Sequence, residues 1–135
     1  MSKEEIKILL VDDEKQFVDT LAERLAMRGF SARVAYDGPQ ALKAVEEPTD
    51  VIVLDLRMPG MDGFEVLRSV KKSNPQVQVI ILTGHGGDAE EQTAYRMGAY
   101  NFLKKPMDID ELLNIIRRAY RDKVENAMVA VSLAE

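Results

Sequence analysis

The chain has 135 residues, enough for one compact domain and too few for two of ordinary size. Hydrophobic residues make up 46% and charged residues 30%, which excludes a disordered chain, and the absence of cysteine excludes disulfides and thiolate metal sites. A formal charge of −5 argues against nucleic acid as a direct ligand, which needs a basic surface. No apolar run approaches the ~20 residues that span a bilayer, and Met1-Ser2-Lys3-Glu4-Glu5 is too polar for a secretory signal. The expectation is a cytoplasmic domain that binds neither membrane nor nucleic acid directly.

In chain order, Ile6 to Val11 is a nearly unbroken apolar run, as expected of a strand buried on both faces of a parallel sheet. Phe17, Val18, Leu21, Ala22 and Leu25 recur at steps of three and four and predict a helix stopped by Gly29. Ser31 to Ala35 reads as a weaker strand whose mixed polarity suits an edge. Ala41, Leu42 and Val45 follow Asp37-Gly38-Pro39 and predict a short helix ended before Pro48. Val51 to Leu54 is the next strand. Phe64, Val66, Leu67 and Val70 then mark a helix closed by Asn74-Pro75.

Val77 to Leu82 is a fourth buried run, followed by a polar helix over Asp88 to Met97 with Gly98 as its stop. Tyr100 to Leu103 gives the last strand. The final helix starts at Asp108-Ile109-Asp110-Glu111, where Asp108 and Glu111 have capping-box spacing, and carries Ile109, Leu112, Leu113 and Ile116 inward. Strand and helix thus alternate five times. That pattern predicts an α/β fold with a doubly wound parallel sheet, and the flavodoxin-like (βα)5 order 2-1-3-4-5 is a common form. The division expected is a folded domain over residues 1–121 and a tail over 122–135. The tail is either an extension of the last helix or disordered, with a frayed terminus slightly favoured. Ile116, Tyr120, Val124, Ala127 and Val131 repeat at near coiled-coil spacing, and a helical tail would offer a dimer seam.

In such sheets, sites lie beyond the carboxyl ends of the strands, at the switch between strands 1 and 3. Strand 1 runs into Asp12-Asp13-Glu14 and strand 3 into Asp55. Converging carboxylates repel unless they protonate or share a cation, and oxygen ligands favour a hard one, Mg²⁺ or else Mn²⁺. Strand 4 ends at Thr83-Gly84, which offers a hydroxyl and open backbone, and strand 5 ends near Lys104-Lys105-Pro106, which offers an ammonium. A carboxylate nucleophile, a divalent metal, a hydroxyl and an ammonium make a phosphoryl-transfer site. Any one of these Asp residues alone is better explained as a turn or cap residue.

These residues closely resemble the receiver domains of two-component response regulators over approximately Lys7 to Tyr120. The blocks are Leu10-Val11-Asp12-Asp13-Glu14, Val51-Ile52-Val53-Leu54-Asp55 with Met58-Pro59-Gly60-Met61-Asp62-Gly63, Leu82-Thr83-Gly84, and Gly98 to Pro106. Each is weak alone, and all four in order are highly specific. That family is known for the same strand order, so fold and resemblance are one expectation rather than two.

The resemblance implies that Asp55 is the phosphoacceptor, with Asp12, Asp13, Asp55 and the backbone carbonyl of Arg57 serving the metal. It implies that Thr83, Gly84 and Lys105 bind the phosphoryl group, with a cis bond at Lys105-Pro106. Lys104 is excluded from that role, since the family lysine directly precedes the proline. Thr83 and Phe102 match the family's switch pair, and the implied readout is the face of helix 4, strand 5 and helix 5. His85 and Arg57 overlook the phosphoryl position and are weighed as tuning the phosphate lifetime. The phosphoryl donor implied is a sensor histidine kinase or a histidine phosphotransfer protein; the downstream protein target is unidentified. A homodimer through helix 4, strand 5 and helix 5, or through the tail, is a further expectation.

The function expected is a signalling protein of a phosphorelay, not an enzyme with an external substrate. The alternative is an interaction module of the same fold that works without phosphorylation. A phosphohydrolase with an aspartyl nucleophile is weaker, because Asp55-Leu56-Arg57 lacks a second carboxylate two residues on. A flavin carrier is weaker still, since acidic groups at the mouth would repel the cofactor phosphate.

Overall fold

The computed structural model describes residues 5–134. The strands are β1 (Ile8–Val11), β2 (Ala32–Ala35), β3 (Val51–Leu54), β4 (Gln78–Thr83) and β5 (Asn101–Lys104). The helices between and after them are α1 (Lys15–Met27), α2 (Gly38–Ala44), α3 (Gly63–Ser73), α4 (Asp88–Arg96) and α5 (Ile109–Ala134). All strand pairs are parallel and the sheet order is β2-β1-β3-β4-β5, the flavodoxin-like order expected.

Alternation along each strand divides the core in two. Leu9, Val11, Ile52, Leu54, Val79, Ile81 and Phe102 face α2, α3 and α4 and pack with Ala41, Val66, Leu67, Val70 and Ala94. Ile8, Leu10, Val51, Val53, Ile80 and Leu82 face α1 and α5 and pack with Val18, Leu21, Leu25, Leu112, Leu113 and Ile116. Both faces are covered, so the central strands can be apolar throughout. The two edge strands are more open: β2 is mostly half-buried, and β5 buries only Phe102.

Local chemistry sets the helix ends. Gly29 takes φ 88° after α1, and the Phe30 amide turns back to donate to the Leu25 carbonyl at 2.9 Å. Asp37 caps α2 by accepting from the Gln40 amide at 2.8 Å. A reciprocal capping box joins Asp62 and Glu65 at the start of α3. At α5, Asp108 Oδ2 accepts from the amides of Asp110 and Glu111, each at 3.1 Å.

The tail is not frayed: α5 continues as helix to Ala134. Its last buried residue is Ala119, while Met128, Val129, Val131 and Leu133 are exposed. Two polar contacts fasten the helix as it leaves the core. Lys123 Nζ donates to Asp50 Oδ1 at 2.7 Å, and the Tyr100 hydroxyl donates to Asp122 Oδ2 at 2.6 Å. Burial and then that hydrogen bond push the Tyr100 hydroxyl up to about 12.

Candidate functional site

Sheet register brings the acidic residues together. Val11 pairs with both Ala35 and Leu54, so the next residues, Asp12 and Asp55, emerge side by side. The Asp55 amide donates to the Val11 carbonyl at 3.0 Å and the Asp12 amide to the Ala35 carbonyl at 3.1 Å. Both aspartates are buried. Asp13, more open, completes a group in which one carboxylate oxygen from each of Asp12, Asp13 and Asp55 lies within 4.8 Å of the others.

Asp55 Oδ1 is buried and has no hydrogen-bond partner. Such an orphan is costly unless something satisfies it. Behind Asp55, the chain closes tightly: the Gly63 amide donates to the Leu56 carbonyl at 2.9 Å. A Cβ at Gly63 would run into the Asp55 carbonyl oxygen, so α3 can start this close only with glycine there.

The other strand ends complete the mouth. Thr83 Oγ1 is fully buried and accepts from the His85 amide at 3.1 Å. The Lys105 amide donates to the Thr83 carbonyl at 2.9 Å, and Lys105-Pro106 is cis as the resemblance implied. Lys104 is exposed, whereas the Lys105 side chain turns inward with 13% exposure. Its ammonium donates to Asp12 Oδ2 at 2.7 Å and Glu14 Oε1 at 2.8 Å, and stands 4.2 Å from the centre of the Phe17 ring.

These contacts order the electrostatics. Burial pushes the Asp12 carboxyl above its ordinary range, with Asp55 adding to the rise, even though bonds from Lys105 and the Glu14 amide pull the other way. Burial lowers the Lys105 ammonium, but the bonds to Asp12 and Glu14 outweigh it and leave the pKa raised. The hydrogen bond from Lys105 holds Glu14 below its usual value.

The donors fit a hard divalent cation: carboxylate oxygens only, clustered, with one of them lacking any partner. Asp12 also serves as a turn residue, its Oδ1 accepting from the Glu14 amide at 2.9 Å. Phe102 is buried, and a Cβ at Gly86 would come within 3.4 Å of its ring. Arg57 and His85 are exposed at the rim. Gly84 is exposed too, and a Cβ there would meet nothing within 4 Å, so crowding does not account for that glycine. Glu14 and Phe17 were missed as partners of Lys105. Glu14 stands in the Asp12-Asp13-Glu14 run, but nothing in sequence ties it to a lysine 91 residues on.

A doubly wound parallel sheet with a carboxylate cluster at its β1/β3 switch, facing a threonine and a lysine, is the arrangement of a receiver-type signalling domain. The chain belongs to the response regulator receiver domain family, whose model matches residues 8–117.

It is 36% identical over 118 residues to a putative NtrX-like response regulator of Rickettsia typhi, a match covering 85% of this chain and 25% of that protein. It is 37% identical over 113 residues to the DNA-binding transcriptional regulator NtrC of Escherichia coli, covering 83% and 24%. The chain therefore spans about a quarter of these relatives. Among solved structures, NtrX from Brucella abortus in complex with ADP superposes with TM-score 0.87 at 32% identity, covering 94% of this chain and 30% of that one. A CheY-like receiver domain protein from Methanospirillum hungatei superposes with TM-score 0.86 at 23% identity, covering 91% and 99%, and speaks for the fold alone.

Proposed function

We propose that Asp55 is a phosphoacceptor, taking a phosphoryl group from a histidine kinase or phosphotransfer protein. A carboxylate oxygen of Asp55 forms the new bond to phosphorus as the bond from phosphorus to the donor imidazole breaks. Asp12, Asp13, Asp55 and the Arg57 carbonyl would hold Mg²⁺, which when bound neutralises charge on the transferring group. Thr83, Gly84 and Lys105 would receive the phosphoryl oxygens, and Thr83 and Phe102 would couple that event to the face formed by α4, β5 and α5. His85 and Arg57 would tune the phosphate lifetime from the rim.

One observation carries the reading: a buried, unpartnered Asp55 oxygen in a three-carboxylate cluster, with Lys105 at the same mouth. The test is incubation with Mg²⁺ and phosphoramidate or an acyl phosphate, followed by intact mass. A base-labile adduct is expected, absent in Asp55→Asn. No adduct, or one that survives Asp55→Asn, defeats the reading.

The partner proposed for the end of α5 is a second copy of the chain. Val124 and Val131, on the near-heptad seam, are exposed together with Met128 and Leu133. Sedimentation should show the full chain as a dimer and the chain cut after Arg121 as a monomer. The same oligomeric state for both excludes the seam.

A further inference from the structure

We propose that Glu14 is a positioning residue that holds Lys105 away from Asp55 in the resting domain and thereby slows phosphorylation. The proposal rests on the receiver reading above and deepens it. Among the described residues, no hydrogen bond or ion pair joins Lys105 to Asp55, whose Oδ1 stays unpartnered. The ammonium is instead held by Asp12, Glu14 and the Phe17 ring, all on the segment that leaves β1 and enters α1. To reach a group on Asp55, Lys105 must let go of that segment.

Asp12 and Glu14 differ in how they let go. Asp12 belongs to the three-carboxylate cluster, so a cation bound there competes with the lysine for it. Glu14 lies outside the cluster, and its hold on Lys105 does not compete with a cation. Its backbone is fixed, since its amide donates to Asp12 and its carbonyl accepts from Val18 at 3.0 Å. Glu14 occupies the N-cap position of α1, where a side chain ordinarily bonds the first free amides, yet it makes no cap bond. The carboxylate reaches Lys105 instead. It is 64% exposed, so water can replace the lysine readily and the restraint is a brake rather than a lock.

The test compares the wild type with Glu14→Gln, which keeps the shape and removes the charge. With Mg²⁺ and phosphoramidate, the rate of Asp55 phosphorylation should rise about threefold to fivefold. Glu14→Asp, with a shorter reach, should lie between the two. Placed together with Lys105→Gln, Glu14→Gln should change nothing, because the residue it restrains is gone.

A second measurement needs neither metal nor phosphate. In metal-free protein, acylation of Lys105 by a water-soluble active ester is followed by peptide mass, with exposed Lys43 as reference. The Lys105 to Lys43 ratio should at least double in Glu14→Gln. An unchanged ratio overturns the proposal, as does an unchanged or slower rate while Asp55 is still phosphorylated. If wild-type Asp55 takes no phosphoryl group at all, the receiver reading fails, and the acylation ratio alone decides whether Glu14 restrains the lysine.

Discussion

The two ends of the sheet carry the same kinds of residue and treat them in opposite ways. At the amino ends of the strands, Asp50 is fully engaged: Oδ1 accepts from Lys123 and Oδ2 from the Lys7 amide at 2.8 Å. Tyr100 and Asp122 are matched nearby at 2.6 Å. At the carboxyl ends, Asp55 keeps a buried oxygen without a partner, and Asp12 is pushed toward its protonated form mainly by burial. An aspartate whose bonds are complete braces the fold. One with a buried oxygen left unpartnered costs the fold stability instead.

The contrast is most exposed to test at Asp50. Asp50→Ala leaves Lys123 and the Lys7 amide without their acceptor and should cost about 3 kcal/mol in urea unfolding, with an unchanged denaturant slope. A loss below about 0.5 kcal/mol, the range of a solvated surface pair, would erase the distinction between the two ends.

Tyr100→Phe should cost about 1 kcal/mol near neutral pH by removing the bond to Asp122. The folded-state pKa is raised from 10.0 to about 12, so this stabilisation is present below pH 10 and is lost as pH rises toward 12. The stability gap between wild type and variant should therefore close across that window, as followed by unfolding at fixed pH steps. A gap independent of pH would show that the hydroxyl is not what fastens α5.

The smallest effect should have the opposite sign. Asp13→Asn removes one of three neighbouring charges and should raise the stability of the metal-free domain by up to about 1 kcal/mol. Mg²⁺ should then raise the melting temperature of the wild type more than that of the variant. A lower melting temperature for metal-free Asp13→Asn would mean that the cluster is not in conflict.

The fold was legible where the physics is local. Val51 to Leu54 reads as a strand because four apolar residues in a row suit burial on both faces, and Asp55 stands out because it breaks that run. Phe17 was legible only as part of the α1 stripe; its position under Lys105 depends on β5 lying three places from β1 in the sheet. Glu14 was hidden for a different reason. Beside two aspartates it reads as one more acid, and only the folded chain shows it bonded to a lysine from the far side of the sheet. The helicity of the tail was ambiguous because Met128, Val129, Val131 and Leu133 stay exposed in this domain, leaving spacing alone to speak for it.

The long α5 also has a mechanical consequence. Among the described residues, Lys123 is the last tethered residue of α5, and the roughly 11 residues beyond it reach about 16 Å at the helical rise. A tilt of about 10° at that tether would sweep the far end through about 3 Å, simply from the length of the rod. Small adjustments of the core against Leu112, Leu113 and Ile116 are thus enlarged at the far end of the helix.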